Sequence, residues 1–343
     1  MKPTRILRLL AWVAAVVLAA GSPTSVVHAV TTDGGVRYVA FGDSTAMAVM
    51  LHGFPPTDPQ LRAITDVNDT DMCGRTPFGW PQRLADAWEL GDPRNAPYLN
   101  IPPESGGQST YVPGDWAYYA CSAADMADPT PNNIGTQVDQ AIADGALGSA
   151  TTLVTIQAGA NDHWGPGINY LDTIPICLAD IVRGCDSRVD PNYVDVTQVS
   201  AGNLVAKLTN GPNGDVLRRL RAAAPNATIA LVGSMNPLPP PTANHVCTSF
   251  LGVRFHWPQS DFAYAQQLQA ALERAYRGAA DRLHIAFWSL AELGEGHDVC
   301  APVTYWTGVL DPGQSWYPLL PNMLGHLVEA DYINRLRTAA GIE

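Results

Sequence analysis

The chain has 343 residues, with 20 lysines and arginines against 32 aspartates and glutamates and a formal charge of −12 at pH 7. That acidity excludes the basic face a nucleic-acid-binding protein carries. Hydrophobic residues make up 46% and charged residues 15%, with a mean hydropathy of −0.02, so the composition excludes a predominantly disordered chain and fits one that buries a large core.

At the amino terminus, Lys2, Arg5 and Arg8 precede an apolar run from Leu9 to Ala20, and Val27-His28-Ala29 supplies small residues for a cleavage site. This pattern predicts a secretory signal peptide over 1–29, followed by a single domain over 30–343. The apolar run falls short of the roughly 20 residues a membrane span needs, so the expected product is an exported protein with no membrane anchor. All six cysteines, Cys73, Cys121, Cys177, Cys185, Cys247 and Cys300, lie beyond that segment. An even number in an exported chain predicts disulfides. No CxxC or HExxH spacing occurs and the eight histidines are scattered, so neither a metal nor another cofactor is expected.

Short apolar runs predict buried strands over Tyr38 to Phe41, Ala117 to Ala120, Leu153 to Gln157, Ile229 to Val232 and Ile285 to Trp288. Between and after them, helices are predicted over Pro81 to Trp88, Thr136 to Ala146, Val216 to Ala224, Phe262 to Arg282 and Asn322 to Ala340. The alternation predicts an α/β chain: a three-layer α/β/α, flavodoxin-like, doubly wound and mainly parallel five-stranded sheet. Long loops rich in proline, glycine and asparagine interrupt it, and most cysteines fall in or beside them, which predicts loops stapled by disulfides.

In such folds ligands gather at the carboxyl ends of the strands. The first strand runs into Phe41-Gly42-Asp43-Ser44, the second into Cys121-Ser122-Ala123-Ala124 and the third into Gly159-Ala160-Asn161-Asp162. A serine at the opening of a helix suits a nucleophile whose product is an oxyanion, although serine and aspartate there also serve as N-caps. The Asn161 amide and the backbone N–H groups of Ser44 and Ala123 are the matching donors for an oxyanion.

These blocks resemble those of the SGNH/GDSL hydrolase family, in particular its secreted actinobacterial esterase and lipase branch. Cys73-Gly74-Arg75-Thr76 with Trp80-Pro81, and Gly296-His297-Asp298-Val299-Cys300, are similar to further segments of that family. The resemblance implies Ser44 as nucleophile, an oxyanion hole of Ser44, Ala123 and Asn161, and cysteines paired in sequence order: Cys73 with Cys121, Cys177 with Cys185, Cys247 with Cys300. It implies an ester substrate, such as a lipid or an acylated glycan; a monomer is expected.

Two positions depart from the family pattern. Ala123 stands where the family has glycine, a change that keeps the backbone N–H if the backbone angles survive. In the last block, aligning on Pro321-Asn322 and Gly325-His326 puts Leu320 at the general-base histidine and Tyr317 at its aspartate. Neither takes a proton from serine at neutral pH. His326 is the foremost substitute for the base, ahead of His297 and His163. Two functions follow as expectations: a secreted serine ester hydrolase, or a protein of the same fold that binds an acyl or glycan ligand without cutting it. In the second case Trp80, Trp116, Trp164, Trp257, Trp306 and Trp316 would stack on sugar rings or line an acyl groove, although packing of their loops against the core is the favoured reading of these residues.

Overall fold

The computed structural model describes residues 34–48, 73–95, 113–127, 130–165, 169, 173, 193–211, 214–240, 242–243, 245–250, 253–258, 262–307 and 320–343. Contacts divide the chain into Met1–Thr32 and Asp33–Glu343. The first unit, holding the whole of the predicted signal peptide, lies outside the described residues, as do Cys177, Cys185, Trp316 and Tyr317.

The strands are β1 (Tyr38–Gly42), β2 (Trp116–Tyr118), β3 (Leu153–Gln157), β4 (Thr228–Val232), β5 (His245–Phe250), β6 (Val253–Pro258) and β7 (Ala286–Trp288). The helices are α1 (Trp80–Ala87), α2 (Ile134–Ala143), α3 (Ala201–Asn210), α4 (Val216–Ala223), α5 (Phe262–Leu283) and α6 (Met323–Ala339). Five strands form one sheet in the order β2-β1-β3-β4-β7, and all its pairings are parallel. The predicted sheet is present, with each strand within two residues of its expected limits. The antiparallel hairpin β5–β6 and the helix α3 are additions to the sequence reading.

Side chains alternate across the pleat and so build two cores. Val39, Phe41, Val154, Ile156, Ile229 and Leu231 face a layer that takes in α2, α3, α4 and α5. Tyr38, Ala40, Leu153, Ala230 and Val232 face a second layer supplied by α1 and α6. Both faces are therefore covered, as parallel sheets require. The outer edge of β2 is covered as well. The Arg94 N–H donates to the Trp116 carbonyl at 3.0 Å. The Asn95 amide donates to the Tyr118 carbonyl and accepts from the Tyr118 N–H, each at 2.8 Å.

The chain passes from β1 to β2 on one side and then to β3 on the other. The carboxyl end of β1 is thus the topological switch point, where crevices form in open α/β sheets. Two disulfides tie loops to this frame, Cys73–Cys121 and Cys247–Cys300, in the pairing the resemblance implies. No described helix is long and apolar enough to cross a membrane.

Candidate active site

Ser44 lies two residues past β1 and is 5% exposed. It opens a three-residue 3-10 turn, Ser44–Ala46, in place of the helix expected from sequence. Asp43 is the cap: its Oδ1 accepts from the Thr45 N–H at 2.8 Å and from the Thr45 hydroxyl at 2.5 Å. The capping duty that sequence alone could assign to either residue thus falls to Asp43, leaving the Ser44 hydroxyl outside it. Asp43 is buried, and burial pushes its carboxyl up to about 7, with the Thr45 hydrogen bonds opposing and nearby Asp162 adding to the rise.

The backbone before Ser44 is held from both sides of the sheet. The Asp43 N–H donates to the Gln157 carbonyl at 2.9 Å. Gln157 in turn accepts from the Trp80 indole at 2.6 Å and donates to the Gly233 carbonyl at 2.9 Å. Gly42 is required at its position, because a Cβ there would stand 2.7 Å from the Gln157 carbonyl oxygen.

The second block keeps its geometry despite losing its glycine. Ala123 has φ +59°, the left-handed region that glycine enters without cost and alanine does not. The turn closes with the Ala124 N–H donating to the Cys121 carbonyl at 3.1 Å, while the Cys121 N–H joins the Gly42 carbonyl at 3.0 Å. Ala123 is exposed. The third block comes to meet it: Asn161 Nδ2 donates to the Ala124 carbonyl at 2.8 Å and lies 3.4 Å from Asp43 Oδ2. The structure thereby brings together the blocks of Ser44, Ala123 and Asn161. A primary amide has two N–H donors; one is committed to Ala124, and the other makes only the long contact with Asp43.

The histidines are placed differently. His326 is fully buried in the first turns of α6, with Nδ1 3.2 Å from Oε2 of Glu329, one turn on. Burial raises the Glu329 carboxyl and the facing imidazole opposes the rise. His297 stacks on Tyr305 with ring centroids 4.0 Å apart, and its Nδ1 lies 2.8 Å from the Val303 carbonyl oxygen, so it braces the loop before α6. His163 is exposed. Among the described residues, no imidazole hydrogen-bonds the Ser44 hydroxyl. Leu320, at the family's histidine position, is 2% exposed and belongs to the core under α1 and α6. Thr307 fixes its backbone, donating from N–H to the Leu320 carbonyl at 2.9 Å and accepting at Oγ1 from the Leu320 N–H at 3.1 Å.

The tryptophans follow the packing reading. Trp80, Trp116, Trp164 and Trp306 are buried in the protein; Trp116 and Trp164 donate to the carbonyls of Gly91 and Gly159 at 2.8 and 3.2 Å. The side chain of Trp257 lies outside the described residues. Sequence reading gave no role to Gln137, Gln157 or Lys207, all of which support the site. The available signal was a polar residue on the inward face of an amphipathic helix, as at Gln137, or at the end of a buried strand, as at Gln157. No group of metal-binding side chains occurs among the described residues.

No family model matches the chain. It is 28% identical over 305 residues to Lipase 2 of Streptomyces coelicolor, covering 86% of this chain and 83% of that protein. The solved structure of phospholipase A1 from Streptomyces albidoflavus NA297 superposes with a TM-score of 0.54 at 19% identity, over 88% of this chain and 99% of that one. The extracellular lipase of Streptomyces rimosus gives 0.54 at 18% identity, again over 88% and 99%. At those identities the two structures speak to the fold, and the sequence likeness to Lipase 2 adds to it. The chain is thus similar in sequence to one Streptomyces lipase and in fold to two further Streptomyces enzymes, and its blocks resemble those of the SGNH/GDSL hydrolase family.

Proposed function

We propose that the chain is an exported serine ester hydrolase acting on a carboxylic ester, a lipid or an acylated carbohydrate. The observation that carries this reading is the Asn161 amide, held between Ala124 and Asp43 beside Ser44. Ser44 attacks the acyl carbon, and its own N–H, the Ala123 N–H and the less committed Asn161 N–H hold the oxyanion. His326 is the base assigned here: the Glu329 carboxyl lies 3.2 Å from its Nδ1 as an ion-pair contact, and among the described residues neither ring nitrogen has a hydrogen-bond partner, which leaves Nε2 to take the serine proton with Glu329 opposite, as the carboxylate stands in serine triads. Its burial means that base and nucleophile must approach each other during turnover. Export is supported by the charged and apolar pattern of residues 2–29 and by the two disulfides. The protein is read as a single mature domain and as a monomer.

The buried Leu320, together with the absence of an imidazole on Ser44 among the described residues, favours one alternative, binding of an acyl or glycan ligand without hydrolysis. The deciding experiment is hydrolysis of a short-chain p-nitrophenyl ester by the disulfide-intact protein, beside Ser44→Ala and His326→Gln. Turnover that falls to background in Ser44→Ala supports hydrolysis, and a matching fall in His326→Gln supports the base. Wild-type rates equal to buffer across several acyl lengths leave the binding reading.

A further inference from the structure

The turn after β3 is fastened by a cation that the ester chemistry does not use. Asp162 is fully buried, and its Oδ2 accepts from the Met126 N–H at 2.7 Å. Lys207 reaches in from α3, with Nζ 2.7 Å from Asp162 Oδ1 and a side chain only 15% exposed. This contact is an ion pair by charge and distance rather than an aligned hydrogen bond. The same ammonium lies 5.5 Å from the Trp164 ring centroid, and the Trp164 indole donates to the Gly159 carbonyl at 3.2 Å. One side chain therefore holds the 159–164 turn at Asp162 directly and at Gly159 through Trp164.

That turn meets the loop after β2 at two alternate points. Asn161 takes the Ala124 carbonyl and Asp162 takes the Met126 N–H, one and three residues after Ala123. A carboxylate buried without its cation is strongly disfavoured, so where Asp162 points depends on Lys207. We propose that Lys207 is a positioning residue for the oxyanion donors: through Asp162 it sets the register of the Asn161 amide against the Ala123 N–H. The inference rests on the ester-hydrolase reading and adds to it a residue that touches no reacting atom.

The test compares Lys207→Met and Lys207→Arg with wild type by steady-state ester hydrolysis, by the rate at which a fluorophosphonate labels Ser44, and by hydrogen exchange at the Met126 amide. In Lys207→Met, misplaced donors should lower kcat and the labelling rate by roughly tenfold or more while KM changes less than about twofold. Exchange at Met126 should quicken. Lys207→Arg, which keeps the charge, should recover most of both. Should Lys207→Met fail to fold, Asp162→Asn/Lys207→Met removes the stranded carboxylate; it should fold and keep the kcat loss. A double variant with wild-type kcat overturns the proposal, because Lys207 then serves only to compensate charge. So does a folded Lys207→Met with wild-type kcat, or with unchanged Met126 exchange. A wild-type protein that neither turns over esters nor takes the label at Ser44 sinks the hydrolase reading separately, and Met126 exchange then decides alone whether Lys207 registers the two loops.

Discussion

Gln137 holds both backbone polar groups of Gly42: its Oε1 accepts from the Gly42 N–H at 3.0 Å and its Nε2 donates to the Gly42 carbonyl at 2.8 Å. A side chain of α2 thereby stands in for a neighbouring strand where β1 ends. Gln137→Ala leaves the buried Gly42 N–H unpaired, while the Gly42 carbonyl keeps the Cys121 N–H, and should cost about 1–3 kcal/mol, read as a lower denaturant midpoint. Gln137→Glu keeps the acceptor and loses the donor, and should fall between the two.

Leu320 sits in the core, so restoring the family's residue there does not restore a base. Leu320→His places an imidazole among apolar side chains and should destabilise by about 1–3 kcal/mol, with no gain in ester hydrolysis. Leu320→Ala should cost about 2–5 kcal/mol through lost contacts and a cavity. Thermal unfolding of both variants checks the order. A rise in kcat for Leu320→His would refute this placement.

Ala123 occupies a left-handed backbone position. Ala123→Gly relieves about 1–2 kcal/mol of strain against a larger entropy loss on folding, and the net should be a stabilisation of about 0.5–1 kcal/mol. The N–H stays in place, so ester hydrolysis should be unchanged within about twofold.

Asp43 makes stability depend on pH in an unusual direction for a carboxylate. Its folded value near 7 lies above the ordinary 3.8, so the folded state holds the proton more tightly than the unfolded chain. The associated stability is fully present below about pH 4, declines as the pH rises, and is lost above the folded value. Glu329, also raised, acts in the same direction. Asp43→Asn removes one of the two, and its unfolding midpoint should fall less steeply between pH 4 and 7 than that of wild type.

The Cys73–Cys121 bridge spans 48 residues of sequence and anchors the start of the turn that carries Ala123. Replacing both cysteines by alanine should lower stability by about 4 kcal/mol on chain-entropy grounds. Because the Ser122 N–H also bonds the Cys73 carbonyl at 3.0 Å, kcat should fall more than in the corresponding Cys247/Cys300 variant. Chemical denaturation and ester assays of the two double variants make the comparison.

The sheet strands were legible because each is a short apolar run, fully buried in β1, β2 and β3. Leu153 to Gln157 matches its observed limits. The helix α3 was not, since AGNLVAKLTN carries Gly202, two asparagines and Thr209, which lower helix propensity. Its signals were Ser200, which caps by accepting from the Asn203 N–H, and the buried pair Leu204 and Leu208. The hairpin β5–β6 was hidden by the proline run before it, although only residues 251–252 separate its strands. At the candidate site, Ser44, Ala123 and Asn161 stood out in sequence because each lies within five residues of the carboxyl end of a strand. Lys207 could not, because its partner is set by how α3 packs against the sheet, whereas Glu329 stands three residues after His326 on α6, a spacing the sequence shows.

Arg94 and Asn95 occupy the outward hydrogen-bonding groups of Trp116 and Tyr118. A bare edge on a parallel sheet is a template on which a second chain can lay down a strand. Here those rungs are filled by Arg94 and Asn95, with two of the three hydrogen bonds made by the Asn95 side chain in place of backbone. The feature works as an end stop, defending the protein against aggregation through this edge at high concentration.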